Sequence, residues 1–117
     1  MNYIDAYVAA VPTANKEAYR EFATKIAPVF QKFGALRVVE NWGDDVPEGK
    51  LTSFTMAVKR EENESIVFSW ITWPSKAVRD EGWKQVMADP LMQDSGMDKL
   101  FDGKRMIFGG FQTIVQV

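Results

Sequence analysis

Neither cysteine nor histidine occurs among the 117 residues. Without cysteine there is no disulfide framework, no thiolate nucleophile, and no cysteine-held zinc or iron–sulfur cluster. Without histidine there is no Ser-His-Asp catalysis, no histidine-bound zinc and no proximal histidine for haem. Positive charge is also scarce: 14 Lys and Arg stand against 16 Asp and Glu, a net charge of −2. Nucleic-acid binders carry a basic face, and this composition supplies none. No apolar run approaches the length of a membrane span. The apolar start, Met1 to Pro12, is short, is interrupted by Asp5 and lacks a basic leader, so it is not expected to be a signal peptide. The expectation is a soluble cytoplasmic protein with no nucleic-acid and no membrane partner. Glycine-rich phosphate loops are missing as well: neither Gly-x-Gly-x-x-Gly nor Gly-Lys-Ser/Thr occurs. Nothing in the composition calls for a metal or a cofactor.

What the chain does have is apolar and aromatic mass. Hydrophobic residues make up 46%, with eight Phe and four Trp, enough for a packed core or an aromatic-lined cavity. The length fits one domain, residues 1–117. A chain of this size buries roughly 65% of the surface its unfolded form exposes, so it needs no staple.

Taken in order, Ile4 to Val11 reads as a strand that Pro12 ends. Asn15 is placed to cap a helix whose apolar stripe is Tyr19, Phe22, Ile26, Val29, Phe30 and Phe33. Pro28 interrupts that helix, and Gly34 suits its left-handed end. Ala35 to Trp42 reads as the second strand, followed by a polar turn loop over Gly43 to Lys50. Leu51 to Lys59 reads as an extended edge segment with Phe54, Met56 and Val58 on one side. Ile66 to Trp73 is a strong strand, apolar on both faces: Ile66, Phe68 and Trp70 on one, Val67, Ile71 and Trp73 on the other. Ser75 caps a second helix, which Asp89-Pro90 closes. A looser segment, Leu91 to Leu100, precedes the last strand, Lys104 to Val117.

This order predicts an α+β fold: a ferredoxin-like antiparallel sheet with two helices on one face. Two helices cover one face, yet the Ile66–Trp73 strand is apolar on both. The economical solution is a homodimer in which two sheets pack face to face as a dimeric α+β barrel. The alternative is that Leu91 to Leu100 folds over the open face.

Candidate chemistry concentrates in Phe101 to Phe111. Asp102-Gly103 signals a turn. On a strand, Lys104 and Arg105 would point to opposite faces, and Arg105 would share its face with Ile107, Gly109 and Phe111. Arg105 at a barrel mouth would clamp a carboxylate or phosphate; otherwise it is exposed or pairs with Asp44, Asp45 or Glu48. Gly109-Gly110 marks a bulge, a close approach by a ligand or backbone, or room for a bulky side chain. Glu40, beside Arg37, would serve as a proton acceptor or donor in a dry cavity and would be inert at a rim. Asp44, Asp45 and Glu48 read as a solvated acidic turn before they read as a cation site. Trp70 or Trp73 would stack on a flat ligand, or serve with Trp42 and Trp83 as core and interface anchors. Met56, Met87, Met92, Met97 and Met106 read as gap fillers.

Four separated segments carry a resemblance: Gly-Asp-Asp-Val-Pro-Glu-Gly-Lys (Gly43–Lys50), Val-Phe-Ser-Trp-Ile (Val67–Ile71), Val-Met-Ala-Asp-Pro (Val86–Pro90) and Phe-Asp-Gly-Lys-Arg-Met-Ile-Phe-Gly-Gly-Phe (Phe101–Phe111). In these, and over essentially its whole length, the chain resembles the YbaA-like bacterial family of unknown function. The resemblance implies a dimeric α+β barrel and supplies no activity. The functional expectation is a protein that binds or transforms a small apolar or aromatic molecule in a barrel lumen, with Arg105 and Glu40 as the reactive candidates and Arg105, Gly109, Trp70 and Trp73 as ligand contacts. The alternative is a non-catalytic dimeric module that acts through a protein partner.

Overall fold

In the computed structural model, which describes residues 2–117, the chain builds a four-stranded antiparallel sheet in the order β2-β3-β1-β4. The strands are β1 (Tyr3–Pro12), β2 (Arg37–Trp42), β3 (Glu64–Trp73) and β4 (Ile107–Gln112). The helices are α1 (Lys16–Lys32), α2 (Phe54–Ala57), α3 (Lys76–Ala88), α4 (Pro90–Gln93) and α5 (Met97–Leu100). This is the α+β, ferredoxin-like arrangement, with α1 and α3 on one face of the sheet. None of the described helices is long and apolar enough to cross a membrane.

Strand alternation and register decide which side chains meet the helices. Asp5, Tyr7, Ala9 and Val11 of β1 lie in rows with Ile71, Ser69, Val67 and Ser65 of β3. Val38, Glu40 and Trp42 of β2 extend those rows at one edge, and Phe108 and Gly110 of β4 extend them at the other. This is the helix face. Tyr19, Ile26, Val29 and Phe30 form the buried stripe of α1 above it. Gly82 lets α3 settle: a β-carbon there would stand 2.5 Å from the Trp73 ring and 2.8 Å from the Phe33 carbonyl. Trp73 is fully buried beneath, edge-on to Phe30.

The opposite face carries Ile4, Ala6, Val8 and Ala10, Ile66, Phe68 and Trp70, and Ile107, Gly109 and Phe111. One end of it is covered by the chain between β2 and β3, where Val58 and Val46 pack on Val8, Ala10 and Ile66. The other end is open. Phe68 is 39%, Ile107 44% and Phe111 58% exposed there.

Three expectations and one alternative need correction. Leu51 to Lys59 contains no strand; Ser53 accepts the Met56 N–H at 3.0 Å and starts α2 instead. Asn15 does not cap α1 with its side chain, which donates to the Leu100 carbonyl at 2.9 Å and ties down α5. The Leu91–Leu100 segment lies against α1, with Met92 and Leu100 packed on the helix-side clusters, and leaves the other face open. The last strand begins at Ile107. Asp102 accepts the Lys104 N–H at 3.0 Å and winds Gly103–Arg105 into a 3-10 turn, so Lys104 and Arg105 do not alternate across a sheet.

Candidate functional site

Between the helix face and helices α1, α3, α4 and α5 lies a pocket of about 540 Å³. Its walls are apolar: Phe22, Ile26 and Phe30 of α1, Trp83, and four methionines, Met87, Met92, Met97 and Met106. Flexible thioether side chains adapt to varied apolar shapes. Met87, Met97 and Phe108 are exposed at 57%, 37% and 77% and form an apolar rim.

The floor is polar. Glu40, Ser69 and Tyr7 occupy one row across β2, β3 and β1, where neighbouring side chains stand roughly 5 Å apart. Tyr19 reaches the same point from α1. All three hydroxyls donate to the Glu40 carboxylate: Tyr19 at 2.8 Å and Ser69 to Oε1, Tyr7 to Oε2. Ser69 is fully buried, Tyr19 is 4% exposed, and Tyr7 and Glu40 are half-buried. Burial, and after it the Glu40 charge, pushes the Tyr7 hydroxyl far above its ordinary range. Burial does the same for Tyr19, reinforced by Tyr7 and Glu40. Both phenols are therefore held in the protonated form that donates to Glu40 near neutral pH.

A second carboxylate, Asp5, sits two residues from Tyr7 on the same face of β1. It accepts the indole N–H of Trp73 at 2.9 Å and of Trp83 at 2.8 Å, and the Arg79 guanidinium through Nε at 3.0 Å and Nη2 at 2.7 Å. Arg79 also reaches Asp80 at 2.9 Å and stacks over the Tyr3 ring at 5.2 Å. Its hydrogen bonds to Asp5 raise its pKa further above an already high value. The Asp5 lone pairs are used up, so this cluster is an anchor that fastens α3 to the sheet.

The expected site residues are scattered. Glu40 lies in the pocket floor. Arg105 does not line the pocket. Its guanidinium meets the buried Glu64 carboxylate through two hydrogen bonds of 2.7 and 2.6 Å, and it also donates to Asp102 and to the Lys59 carbonyl. Its partner is thus Glu64, not Asp44, Asp45 or Glu48. Trp73 is core, with no face free. Trp70 and Gly109 lie on the opposite face, in one row through Ala6. No bulge interrupts β4 at Gly109-Gly110. The missing side chain at Gly110 makes room for Tyr3, whose hydroxyl would stand 2.3 Å from a β-carbon there. Glu48 is occupied by Thr55 at 2.9 Å and Arg60 at 3.4 Å. Among the described residues no group of three Asp or Glu is placed to hold a metal ion.

Tyr7, Tyr19 and Ser69 were not singled out from sequence as a site. The available signal was polar residues on the inward side of otherwise apolar strands: Asp5 and Tyr7 in β1, Glu40 in β2, and Ser65 and Ser69 in β3. Only the register shows that Tyr7, Glu40 and Ser69 coincide.

The family described as "Protein of unknown function (DUF1428)" matches residues 2–103. The "Uncharacterized protein YbaA" of Escherichia coli (strain K12) is 58% identical over 115 residues, covering 98% of both chains. A protein of the same description from Shigella flexneri matches at the same identity and coverage. Among solved structures, a dimeric ferredoxin-like protein from an uncultured marine organism superposes with a TM-score of 0.63 at 12% identity, covering 100% of each chain. Rv0793 from Mycobacterium tuberculosis superposes with a TM-score of 0.54 at 10% identity, over 99% of this chain and 98% of that one. At such identities the likeness concerns the fold alone.

Proposed function

This chain belongs to the DUF1428 family, and we propose that it binds a small, largely apolar molecule in the pocket between its sheet and helices. The observation that carries this reading is the pairing of apolar walls with one hydrogen-bonded polar floor, Glu40 with Tyr7 and Tyr19, held from beneath by the buried Ser69 hydroxyl. Ligand pockets of this kind bury an apolar body and orient it with a few polar groups. The site lies on the helix side of the sheet, not at the Arg105 turn where the sequence directed attention. A neutral naphthyl dye that fluoresces in apolar surroundings tests it. The dye should bind saturably at one site per chain, and Ala27→Phe, which fills the pocket beside α1, should abolish that binding. Unchanged uptake by Ala27→Phe would place the dye elsewhere and refute the reading.

The open face supports a homodimer. Phe68, Ile107 and Phe111, with half-buried Trp70, form an apolar patch that stays 39–58% exposed at the first three, although Phe54 of α2 packs against Phe68 from one side. A contiguous patch of this kind on a soluble protein marks an interaction surface. The structurally similar marine protein is described as dimeric. Two copies meeting through this face would close the barrel and leave the pocket of each protomer on the outside of it.

A further inference from the structure

We propose that the molecule taken by this pocket bears a protonated amine on an apolar body, with the ammonium seated on the Glu40–Tyr7–Tyr19 floor. The proposal rests on the reading of the pocket as a small-molecule site and adds the polarity of the occupant.

Hydrogen-bond accounting at the floor is the basis. A carboxylate offers about four lone-pair positions. At Glu40 three are filled, two on Oε1 by Tyr19 and Ser69 and one on Oε2 by Tyr7. One position remains, on Oε2. Each tyrosine hydroxyl has one proton and gives it to Glu40, so toward the pocket Tyr7 and Tyr19 present lone pairs alone. A ligand group that meets this floor must therefore donate. A carboxylate or phosphate would bring only acceptors and a repelled charge. An ammonium brings three donors and the opposite charge, and a charge-assisted hydrogen bond is roughly twice as strong as a neutral one.

The other charges around the pocket agree. Its lining holds three carboxylates, Asp5, Glu40 and Asp80, against one cation, Arg79. Arg79 is committed to Asp5 and Asp80. The neighbouring groove at the β2 edge, which Glu40 and Tyr19 also line, carries two cations: Arg20 in an exposed pair with Glu17 at 3.4 Å, and Lys16 over the Trp42 ring at 5.7 Å. Above the floor, Phe22, Phe30 and Trp83 line the pocket with apolar surface that suits the stem of an amine.

Octylamine, octanol and octanoate share one apolar tail and differ in head group. Titration calorimetry of the whole chain with each separates the possibilities. Octylamine should bind at least about tenfold more tightly than octanol, the equivalent of one hydrogen bond to a charged group, and octanoate should bind least. Glu40→Gln removes the charge that favours an ammonium and should erase the amine preference, bringing octylamine affinity down to that of octanol in the same variant. A nuclear Overhauser contact between the octylamine C1 protons and the Tyr7 and Tyr19 rings gives the same answer in the unaltered protein, should the variant fail to fold. Equal or tighter binding of octanol or octanoate would overturn the amine assignment and leave the pocket reading standing. No binding by any of the three would overturn both.

Discussion

Arg105 and Glu64 meet through two near-parallel hydrogen bonds of 2.7 and 2.6 Å, between the turn that precedes β4 and the first residue of β3. The Glu64 side chain is 4% exposed and also accepts the Glu61 N–H at 2.8 Å. The Arg105 guanidinium continues to the carbonyl of Lys59, a residue held at a positive φ of 51°. One side chain thus ties the turn before β4 to the Glu64 carboxylate at the start of β3 and to the Lys59 carbonyl. Arg105→Met would leave a buried carboxylate without its counter-charge, and such losses cost about 3 kcal/mol. Chemical denaturation should show that loss, with octanol affinity unchanged. Lost affinity without lost stability would return Arg105 to the binding site.

The same pair predicts a pH dependence. Hydrogen bonding to Arg105 holds the Glu64 carboxyl below its ordinary pKa of 4.5. A depressed folded-state pKa contributes stability that is fully present above the ordinary value and is lost as pH falls through the folded one. The stability gap between the native chain and Arg105→Met should therefore be constant near neutrality and shrink as pH falls below about 4.5. A gap that stays constant down to pH 3 would contradict this assignment.

Tyr3 and Gly110 are equally particular. Gly110→Ala puts a methyl group against the Tyr3 ring and displaces the surface on which Arg79 stacks. Overpacking of this sort costs about 1–3 kcal/mol. Gly109→Ala meets only Phe111 at an ordinary 3.5 Å and should change stability by no more than about 0.5 kcal/mol. Thermal unfolding of the two variants side by side decides the matter; equal losses would mean that the two glycines serve one common purpose.

The three hydroxyls on Glu40 make the floor cooperative. Glu40→Gln turns an acceptor toward three donors into a group that carries donors of its own, leaving at least one buried hydroxyl without a partner. A cost of about 1–3 kcal/mol follows. Tyr19→Phe and Glu40→Gln share that interaction, so a double-mutant cycle should show their effects to be strongly non-additive. Simple additivity would mean that the bonds do not act together.

For the open sheet face, Phe68→Glu places a charge where a second copy would pack. Light scattering should give twice 13.3 kDa for the native chain and 13.3 kDa for the variant. A native mass of 13.3 kDa at micromolar concentration would dispose of the dimer.

The sequence displayed the scaffold well for physical reasons. The apolar stripe of α1 and the two-sided apolar run of β3 are long periodic signals, and the excess on β3 announced the open face before any register was known. Local competition obscured the rest. Phe54, Met56 and Val58 alternate like a strand, yet Ser53 caps a helical turn there. Asp102 likewise captures Lys104, and Arg105 leaves the strand that the apolar pattern assigned to it. The pocket was least legible, because Tyr7, Glu40 and Ser69 lie far apart in sequence and become neighbours only when β1, β3 and β2 pair in one register. Glu40 alone stood out, as a charge inside an apolar strand.

Methionine methyl groups test the central claim most directly. Met87, Met92, Met97 and Met106 line the pocket, whereas Met56 sits on α2, outside it. In protein labelled with carbon-13 at the methionine methyls, titration with octanol should shift the four pocket signals together and leave Met56 still. Shifts at Met56 and at the Trp70 indole, with the four pocket methyls unmoved, would show that the apolar ligand goes to the open sheet face and that the pocket around Glu40 is not the binding site.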